Sequence, residues 1–300
     1  MTLIVIGGAT ATGKSDLAVA LAKELKGQVI NADSMQLYKG MDIGTAKLTM
    51  TERQGVPHHL IDVLSVRQEA SVAQYQIDAR NLIDQLLEQG IPAIVVGGTG
   101  LYIKAILDEL NFPETDPVIR ARLSIEAQQV GMNEMHARLA KLDPAAAAAI
   151  PKENVRRVVR ALEVIEITGA PFTANLPKAG APYYPSAKQF GLVMQREDLK
   201  ERIDRRVDAM WESGFVEEVR TLMEKGITKA KTARAALGYS QIITFLECSV
   251  SEDEAKEETK RATRAYARRQ ETWFSRDERI KWLKGDTAER LDLILSSTIG

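Results

Sequence analysis

A run of eight residues near the N-terminus has the glycine spacing of a phosphate-binding loop: Gly8, Ala9, Thr10, Ala11, Thr12, Gly13, Lys14 and Ser15. The glycines let the backbone bend so that its N–H groups converge on phosphate oxygens at the start of a helix, whose dipole also favours an anion. Lys14 adds a positive charge, and the Ser15 hydroxyl can bind a magnesium ion that bridges phosphates. The loop therefore predicts a bound di- or triphosphate with Mg²⁺ as cofactor.

The acid that a kinase or NTPase would need is missing from its usual position. Such enzymes carry a magnesium-binding aspartate at the end of a later apolar strand. Here the later apolar segment 94–96 runs into Gly97-Gly98-Thr99-Gly100 without an acid. Asp33, after the short apolar segment 29–30, is the alternative. It could hold magnesium or accept a proton from a nucleophile that attacks an atom bonded to the phosphates.

Two clusters of basic residues occur at helical spacing. In the first, Arg156 and Arg160 share a face with Arg157 beside them, and Val155, Val158 and Val159 are predicted to face the core. The second contains Lys260, Arg261, Arg264, Arg268 and Arg269. Because the net charge is only −1, each cluster could be a local surface for a polyanion such as RNA. Each could instead be a solvated helix face, since Glu257, Glu258 and Glu271 flank the second.

The elements that must position these residues alternate between strand and helix. Apolar segments at 3–6, 29–30 and 91–96 predict strands, and helical patterns at 16–25 and 71–89 follow two of them. This order predicts an α/β fold, a parallel sheet flanked by helices on both faces. From about residue 111 the pattern becomes helical, with an extended connector at 171–185 and a further strand at 189–194. We therefore expect a core of residues 1–111 and 189–300 and a mostly helical insertion domain at 112–188.

Composition limits the classes of protein that fit. The one cysteine, Cys248, cannot form an internal disulfide, and no Cys or His cluster has zinc-site spacing. No apolar segment approaches the length of a membrane span, and the N-terminus lacks the features of a secretory signal. We expect a cytoplasmic monomer that has no membrane partner.

The chain resembles the tRNA dimethylallyltransferase family along nearly its whole length. The matching segments are 8–15, Asp33-Ser34-Met35-Gln36-Leu37-Tyr38, 40–47, 57–62, 96–102, 156–163, 236–239 and Arg269-Gln270-Glu271-Thr272-Trp273-Phe274. The resemblance implies transfer of a dimethylallyl group from its diphosphate to N6 of adenosine 37 in tRNAs that read codons beginning with U. It also implies that the loop binds the diphosphate of this donor in place of ATP, which would account for the missing acid.

The resemblance also implies roles for individual residues. Asp33 would be the general base, Thr99 would lie in the channel where the flipped adenine meets the donor, and Lys14 and Arg206 would neutralise the departing diphosphate with Ser15 and Mg²⁺. Contacts to the tRNA anticodon stem-loop would come from Asp33, Ser34, Met35, Gln36, Thr99, Arg120, Arg156, Arg157, Val158, Val159, Arg160, Gly238 and Tyr239. One departure from the family pattern is the lack of a basic residue immediately before Leu237-Gly238-Tyr239.

Three alternatives stay open at the level of sequence. An adenylate isopentenyltransferase would act on free AMP, ADP or ATP and would need no RNA-binding insertion. A small-molecule kinase would use the same loop for ATP. A non-catalytic RNA-binding protein would use the loop only structurally.

Overall fold

The computed structural model describes residues 2–175 and 182–299. The chain divides into two compact units, the first formed by Met1–Leu107 with Tyr184–Gly300 and the second by Asp108–Tyr183. The second unit begins and ends four and five residues before the expected bounds of 112 and 188. No helix among the described residues is long and apolar enough to span a membrane.

Within the described residues, the first unit is built on a sheet of six parallel strands: β1 Leu3–Gly7, β2 Gln28–Asn31, β3 His58–His59, β4 Ala93–Val96, β5 Lys188–Leu192 and β6 Ile280–Leu283. The strand order is β3-β2-β4-β1-β5-β6. In the register, Val5 pairs with Val95 on one side and with Gln189 on the other. The predicted fold class, a parallel sheet flanked by helices, is confirmed.

The helices of this unit are α1 Lys14–Leu25, α2 Val72–Glu88, α3 Gly100–Leu107, α8 Arg196–Glu212, α9 Phe215–Glu224, α10 Tyr239–Leu246, α11 Glu252–Phe274 and α12 Thr287–Ile299. Helices α2 and α3 cover one face of the sheet and α1 and α12 cover the other, whereas α9 and α10 pack in a separate core. Alternate residues of β1 point to opposite faces, as in any strand. Leu3 and Val5 pack in the core beside α2 and α3. Ile4 and Ile6 pack in the core beside α1 and α12. Because both faces are covered, β1 is apolar and buried along its length.

The second unit is helical in the part that the structure describes, with α4 Pro117–Val130, α5 Met132–Leu142, α6 Pro144–Ala149 and α7 Val155–Thr168. Local capping sets where two of these helices begin. The Asp116 carboxylate accepts hydrogen bonds from Val118 N (2.7 Å) and Ile119 N (3.2 Å) before Pro117 starts α4. The Asn154 side chain accepts from Arg157 N at the start of α7. The core includes Leu123, Leu139 and Leu162.

Two strands were not predicted from the sequence. The segment 280–283, for which no strand was predicted, forms β6 at the edge of the sheet. Its two central residues are exposed, so it lacks the continuous apolar pattern of a buried strand. His58 and His59, for which no strand was predicted either, pair with Val29 and Ile30. The predicted extended connector begins with a short 3₁₀ helix at Phe172–Asn175, and its residues 176–181 lie outside the described residues.

Candidate active site

The predicted phosphate-binding loop connects β1 to α1. Gly8, Ala11 and Gly13 have positive φ angles of 130°, 64° and 88°, which produce the bends that the motif requires. Gly13 is the residue before α1, so the loop N–H groups lie at the N-terminus of a helix that begins with Lys14. This backbone is suited to an anion.

The loop forms one wall of a cavity of about 660 Å³. Lys14 and Ser15 line the cavity from the loop, Asp33 lines it from the end of β2, and Arg206 lines it from α8. The volume lies in the ordinary range for small-molecule sites, about 300–1,000 Å³. The structure therefore brings together Lys14, Ser15, Asp33 and Arg206, which the sequence had placed in one site.

Two cations are enclosed in this cavity. The pKa of Lys14 is lowered to about 7, mainly by burial and also by the positive charge of Arg206, while Asp33 opposes the shift. Burial also lowers the pKa of Arg206, while Asp33 and Asp16 raise it. Arg206 Nη1 lies 3.4 Å from the Thr10 hydroxyl. Two desolvated cations so close together favour binding of a multivalent anion, which would stabilise both charges.

The backbone of Asp33 is held by the side chain of Asn31, which is buried. Asn31 Oδ1 accepts a hydrogen bond from Asp33 N, and Asn31 Nδ2 donates to Asp33 O, both at 2.9 Å. Met35 N donates to Asp33 Oδ1 at 2.9 Å. The second carboxylate oxygen accepts no hydrogen bond from the described residues. A fixed carboxylate with one uncommitted oxygen on a cavity is the geometry that a general base needs.

Thr99 is joined to the segment that contains Asp33. Ser34 N donates to Thr99 Oγ1 at 3.1 Å, and Thr99 N donates to Ala32 O at 3.2 Å. The glycine before this turn allows the close approach, because a Cβ on Gly97 would lie 2.2 Å from the Ala32 carbonyl. The turn at residues 97–100 and the end of β2 therefore form one edge of the site.

A second, more apolar cavity of about 290 Å³ adjoins the first. Its wall includes Ile203, Val207 and Met210 of α8 together with Phe215 and Leu237. Six residues line both cavities and mark where the two meet: Thr10, Ala11, Asp33, Thr45, Arg206 and Tyr266. The anion-binding loop, the carboxylate and an apolar space thus converge at one junction.

Tyr266 is a junction residue that the sequence analysis missed. It lies on α11, and burial raises the pKa of its phenol to about 12, with Asp33 adding to the shift. Thr99 and Gln270 oppose this shift and lower the pKa. The sequence offered one signal, because Tyr266 is one helical turn before Gln270 in the matched segment 269–274, but no role had been attached to that segment.

The predicted RNA-contact residues after Asp33 lie around these cavities. Ser34 and Met35 line the second cavity and Gln36 lines the first, where its Nε2 donates to Thr45 O at 3.0 Å. Tyr239 is fully buried and its hydroxyl donates to Glu218 Oε1 at 2.5 Å. The same carboxylate accepts hydrogen bonds from the backbone N–H groups of residues 42–44. The side chain of Tyr239 therefore supports this loop, and a tRNA contact at Gly238 or Tyr239 stays a prediction.

The basic cluster on α7 differs in part from the prediction. Val158 and Val159 were included among the tRNA contacts, but they are 0% and 4% exposed and pack in the core of the second unit. Their side chains therefore cannot reach RNA in this conformation. Val155, expected in the core, is 42% exposed. Arg156 and Arg157 are exposed to solvent.

Arg120 and Arg160 have an internal partner. Both pair with the fully buried Glu163, at 2.9 Å and 3.1 Å, and Asp116 N donates to the same carboxylate at 3.0 Å. Arg160 also donates to Pro113 O at 2.7 Å. These two arginines neutralise a buried charge, so Arg156 and Arg157 are the members of the cluster best placed to bind a polyanion.

The basic cluster on α11 is largely neutralised. Lys260 pairs with Asp208 of α8 at 2.9 Å and Arg264 pairs with Asp204 of the same helix. Arg261 pairs with Glu258 on its own helix at 2.6 Å. The cluster mainly joins two helices of the first unit, and α8 supplies partners that the sequence had not identified.

The chain is similar in sequence and in structure to several known proteins. Residues 36–277 match the family model described as IPP transferase. A tRNA dimethylallyltransferase of Thermobifida fusca (strain YX) is 57% identical over 296 residues, which covers 97% of this chain and 92% of that relative. The crystal structure of a full-length tRNA isopentenylpyrophosphate transferase from Bacillus halodurans is similar with a TM-score of 0.72 and 40% identity, covering 99% of this chain and 95% of that one. A eukaryotic dimethylallyltransferase, solved in snapshots of its action on tRNA, gives a TM-score of 0.82 at 27% identity, covering 99% and 77% of the two chains.

Proposed function

The chain belongs to the IPP transferase family of tRNA dimethylallyltransferases. On this premise we propose that it transfers a dimethylallyl group from dimethylallyl diphosphate to N6 of adenosine 37 of tRNA, with release of diphosphate. The proposed substrates are tRNAs that read codons beginning with U. The observation that carries the proposal is the junction at Asp33. There an anion-binding cavity meets a largely apolar one, as a donor with a charged head and a hydrocarbon group requires.

The loop binds the diphosphate of the donor. Its N–H groups at the start of α1 hold the phosphate oxygens, and Lys14 and Arg206 neutralise the charge that grows as the carbon–oxygen bond breaks. An allylic carbon leaves diphosphate with substantial carbocation character, so stabilising the leaving group lowers the barrier. The apolar wall near Ile203 and Met210 surrounds the hydrocarbon group and keeps water away from the reacting carbon.

Asp33 accepts the proton from the adenine amine. As the N6–C1 bond forms and the C1–O bond to diphosphate breaks, N6 becomes positively charged, and the uncommitted oxygen of Asp33 takes one of its protons. Thr99 lies beside Ser34 at the same edge and orients the base. Adenine N6 is a weak nucleophile, so alignment and proton removal both contribute to the rate.

The protein ligands available in this site fit a magnesium ion that is held mainly by the substrate. No group of three or more His, Cys, Asp or Glu residues capable of holding a metal occurs among residues 2–175 and 182–299. Mg²⁺ commonly binds one or two protein ligands and completes its shell with phosphates and water. The Ser15 hydroxyl lines the loop cavity and has no hydrogen-bond partner in the described part of the chain, so it would be the protein ligand. When bound, the ion supplies further charge neutralisation for the diphosphate.

Adenosine 37 must leave the stack of the anticodon loop to reach this junction, at a cost of a few kcal/mol. Contacts to the tRNA backbone have to offset that cost. Arg156 and Arg157 on α7 supply exposed positive charge for them, and residues 34–36 bind the extruded base and its neighbours. This use of RNA distinguishes the proposed substrate from free AMP, ADP or ATP.

A parallel assay tests the proposal. The enzyme is incubated with labelled dimethylallyl diphosphate and either unmodified tRNA or AMP, and the tRNA product is digested and examined by mass spectrometry. We expect one dimethylallyl mass addition per tRNA, confined to the nucleotide 3′ of the anticodon. Equal transfer to AMP, or modification at another adenosine, would contradict the proposal.

A further inference from the structure

Helix α11 places one buried amide between the two turns of the site. Gln270 is 5% exposed; its Oε1 accepts a hydrogen bond from Thr10 N at 2.9 Å, and its Nε2 donates to Gly98 O at 2.8 Å. Thr10 belongs to the phosphate-binding loop, and Gly98 belongs to the turn that contains Thr99. One side chain therefore connects Thr10 and Gly98, which are 88 residues apart in the chain.

The bridge needs both a glutamine and a glycine. A primary amide offers an acceptor and a donor in fixed geometry, so it can satisfy an N–H on one side and a C=O on the other. A Cβ on Gly98 would lie 2.2 Å from Gln270 Nε2, so a side chain there would push the amide away. Gln270 and Gly98 are thus a matched pair, and the backbone of Gly98 does not itself require glycine through a positive φ.

The two turns carry the two halves of the proposed reaction. Thr10 lies at the junction of the cavities on the donor side. Thr99 follows Gly98 and is hydrogen-bonded to Ser34, beside Asp33. Transfer requires the reacting carbon and nitrogen at roughly 3–3.5 Å, and a displacement of about 1 Å can cost about 100-fold in rate. A bridge that fixes the distance between these turns therefore acts on the chemical step.

We propose that Gln270 is a positioning residue that sets the donor loop against the Thr99 turn, so that donor and base meet at reacting distance. It does so through Thr10 N and Gly98 O and touches neither reacting atom. The proposal rests on the proposed function, because it assigns the two turns to donor and acceptor.

The test compares Gln270→Met with Gln76→Met. Methionine has a similar length but replaces the amide with groups that cannot make either hydrogen bond well. Gln76 is a suitable control because it is also a buried glutamine, 9% exposed, whose Nε2 donates to a backbone carbonyl, Ala105 O, at 2.8 Å, and it does not line either cavity. For Gln270→Met we expect kcat to fall by about 100-fold while KM for donor and for tRNA changes by less than about threefold. The control should retain kcat within about threefold of the unmodified enzyme.

A double-mutant cycle tests whether Gly98 and Gln270 act on kcat through the same bridge. Gly98→Ala should lower kcat by displacing the same amide, and Gly98→Ala with Gln270→Met should be little worse than Gln270→Met alone, because both changes break one bridge. Additive losses in kcat, or a Gln270→Met enzyme with unchanged kcat, would overturn the proposal. So would a loss confined to KM. If the unmodified enzyme fails to transfer the group to tRNA, the proposed function fails instead, which the same assay shows before any variant is made.

Discussion

Replacing Asp33 by asparagine isolates its role as a base from its role in the fold. Asparagine keeps a side-chain oxygen at the position that accepts Met35 N at 2.9 Å, and the contacts of Asn31 are with the backbone of residue 33 and are unaffected. What is lost is the carboxylate that would accept the N6 proton. General-base catalysis contributes roughly 10²–10⁴ in rate, so we expect the transfer rate of Asp33→Asn to fall by about that factor.

The assay is single-turnover transfer from dimethylallyl diphosphate with saturating tRNA, because it reports bond formation without product release. Affinity for tRNA, measured separately by filter binding, should stay within about tenfold, or about 1.4 kcal/mol. Asp33→Ala is the informative companion. It also removes the acceptor for Met35 N, which should cost about 1 kcal/mol more in local structure and appear as weaker tRNA binding. A single-turnover rate for Asp33→Asn within about threefold of the unmodified enzyme would remove Asp33 from the proposed role.

Four further outcomes are expected. The pKa of Lys14 is about 7 before ligand binds, and a bound anion favours the protonated amine. Diphosphate binding at pH 8 should therefore take up a proton, and the affinity should fall by up to about tenfold per pH unit above the pKa. Calorimetry in buffers of different ionisation enthalpy measures the proton uptake, and its absence would contradict the effect of burial on Lys14. Tyr266→Phe keeps the ring that lines both cavities and should retain more transfer activity than Tyr266→Leu, which opens the junction to water and should increase release of free dimethylallyl alcohol; equal activities would show that the ring has no such role. Replacing Arg156 and Arg157 with glutamine should reduce the slope of log affinity for tRNA against log salt by roughly one per lost phosphate contact, whereas an unchanged slope would place the RNA elsewhere. Glu163→Gln should lower the free energy of unfolding by roughly 1–3 kcal/mol, because it removes the charge that Arg120 and Arg160 neutralise in the structure. An unchanged denaturation midpoint would mean that these ion pairs make no net contribution to stability.

The sequence determined the features that depend on short stretches of chain. The bends of residues 8–15 and the helix that follows them were predicted from glycine spacing and helix periodicity, both of which are local. The helix was predicted at 16–25 and begins two residues earlier, at Lys14. Parallel order also followed from the alternation of strands and helices. Asp33 and Thr99 could be assigned to one edge because the carboxyl ends of parallel strands lie together.

Only the tertiary structure decided the features that depend on residues far apart in the chain. The bond between Gln270 and Thr10 spans 260 residues, and nothing in the local pattern around Gln270 indicates it. The pairing of the basic residues also depends on the tertiary structure. Spacing identified a charged face on α7 and another on α11, but whether each arginine is free or paired depends on which acid a neighbouring element brings to it. Glu163 forms ion pairs with Arg120 and Arg160. On α8, Asp208 and Asp204 form ion pairs with Lys260 and Arg264. Tertiary packing sets the distances between these charges, on which electrostatic attraction depends, and sequence spacing does not.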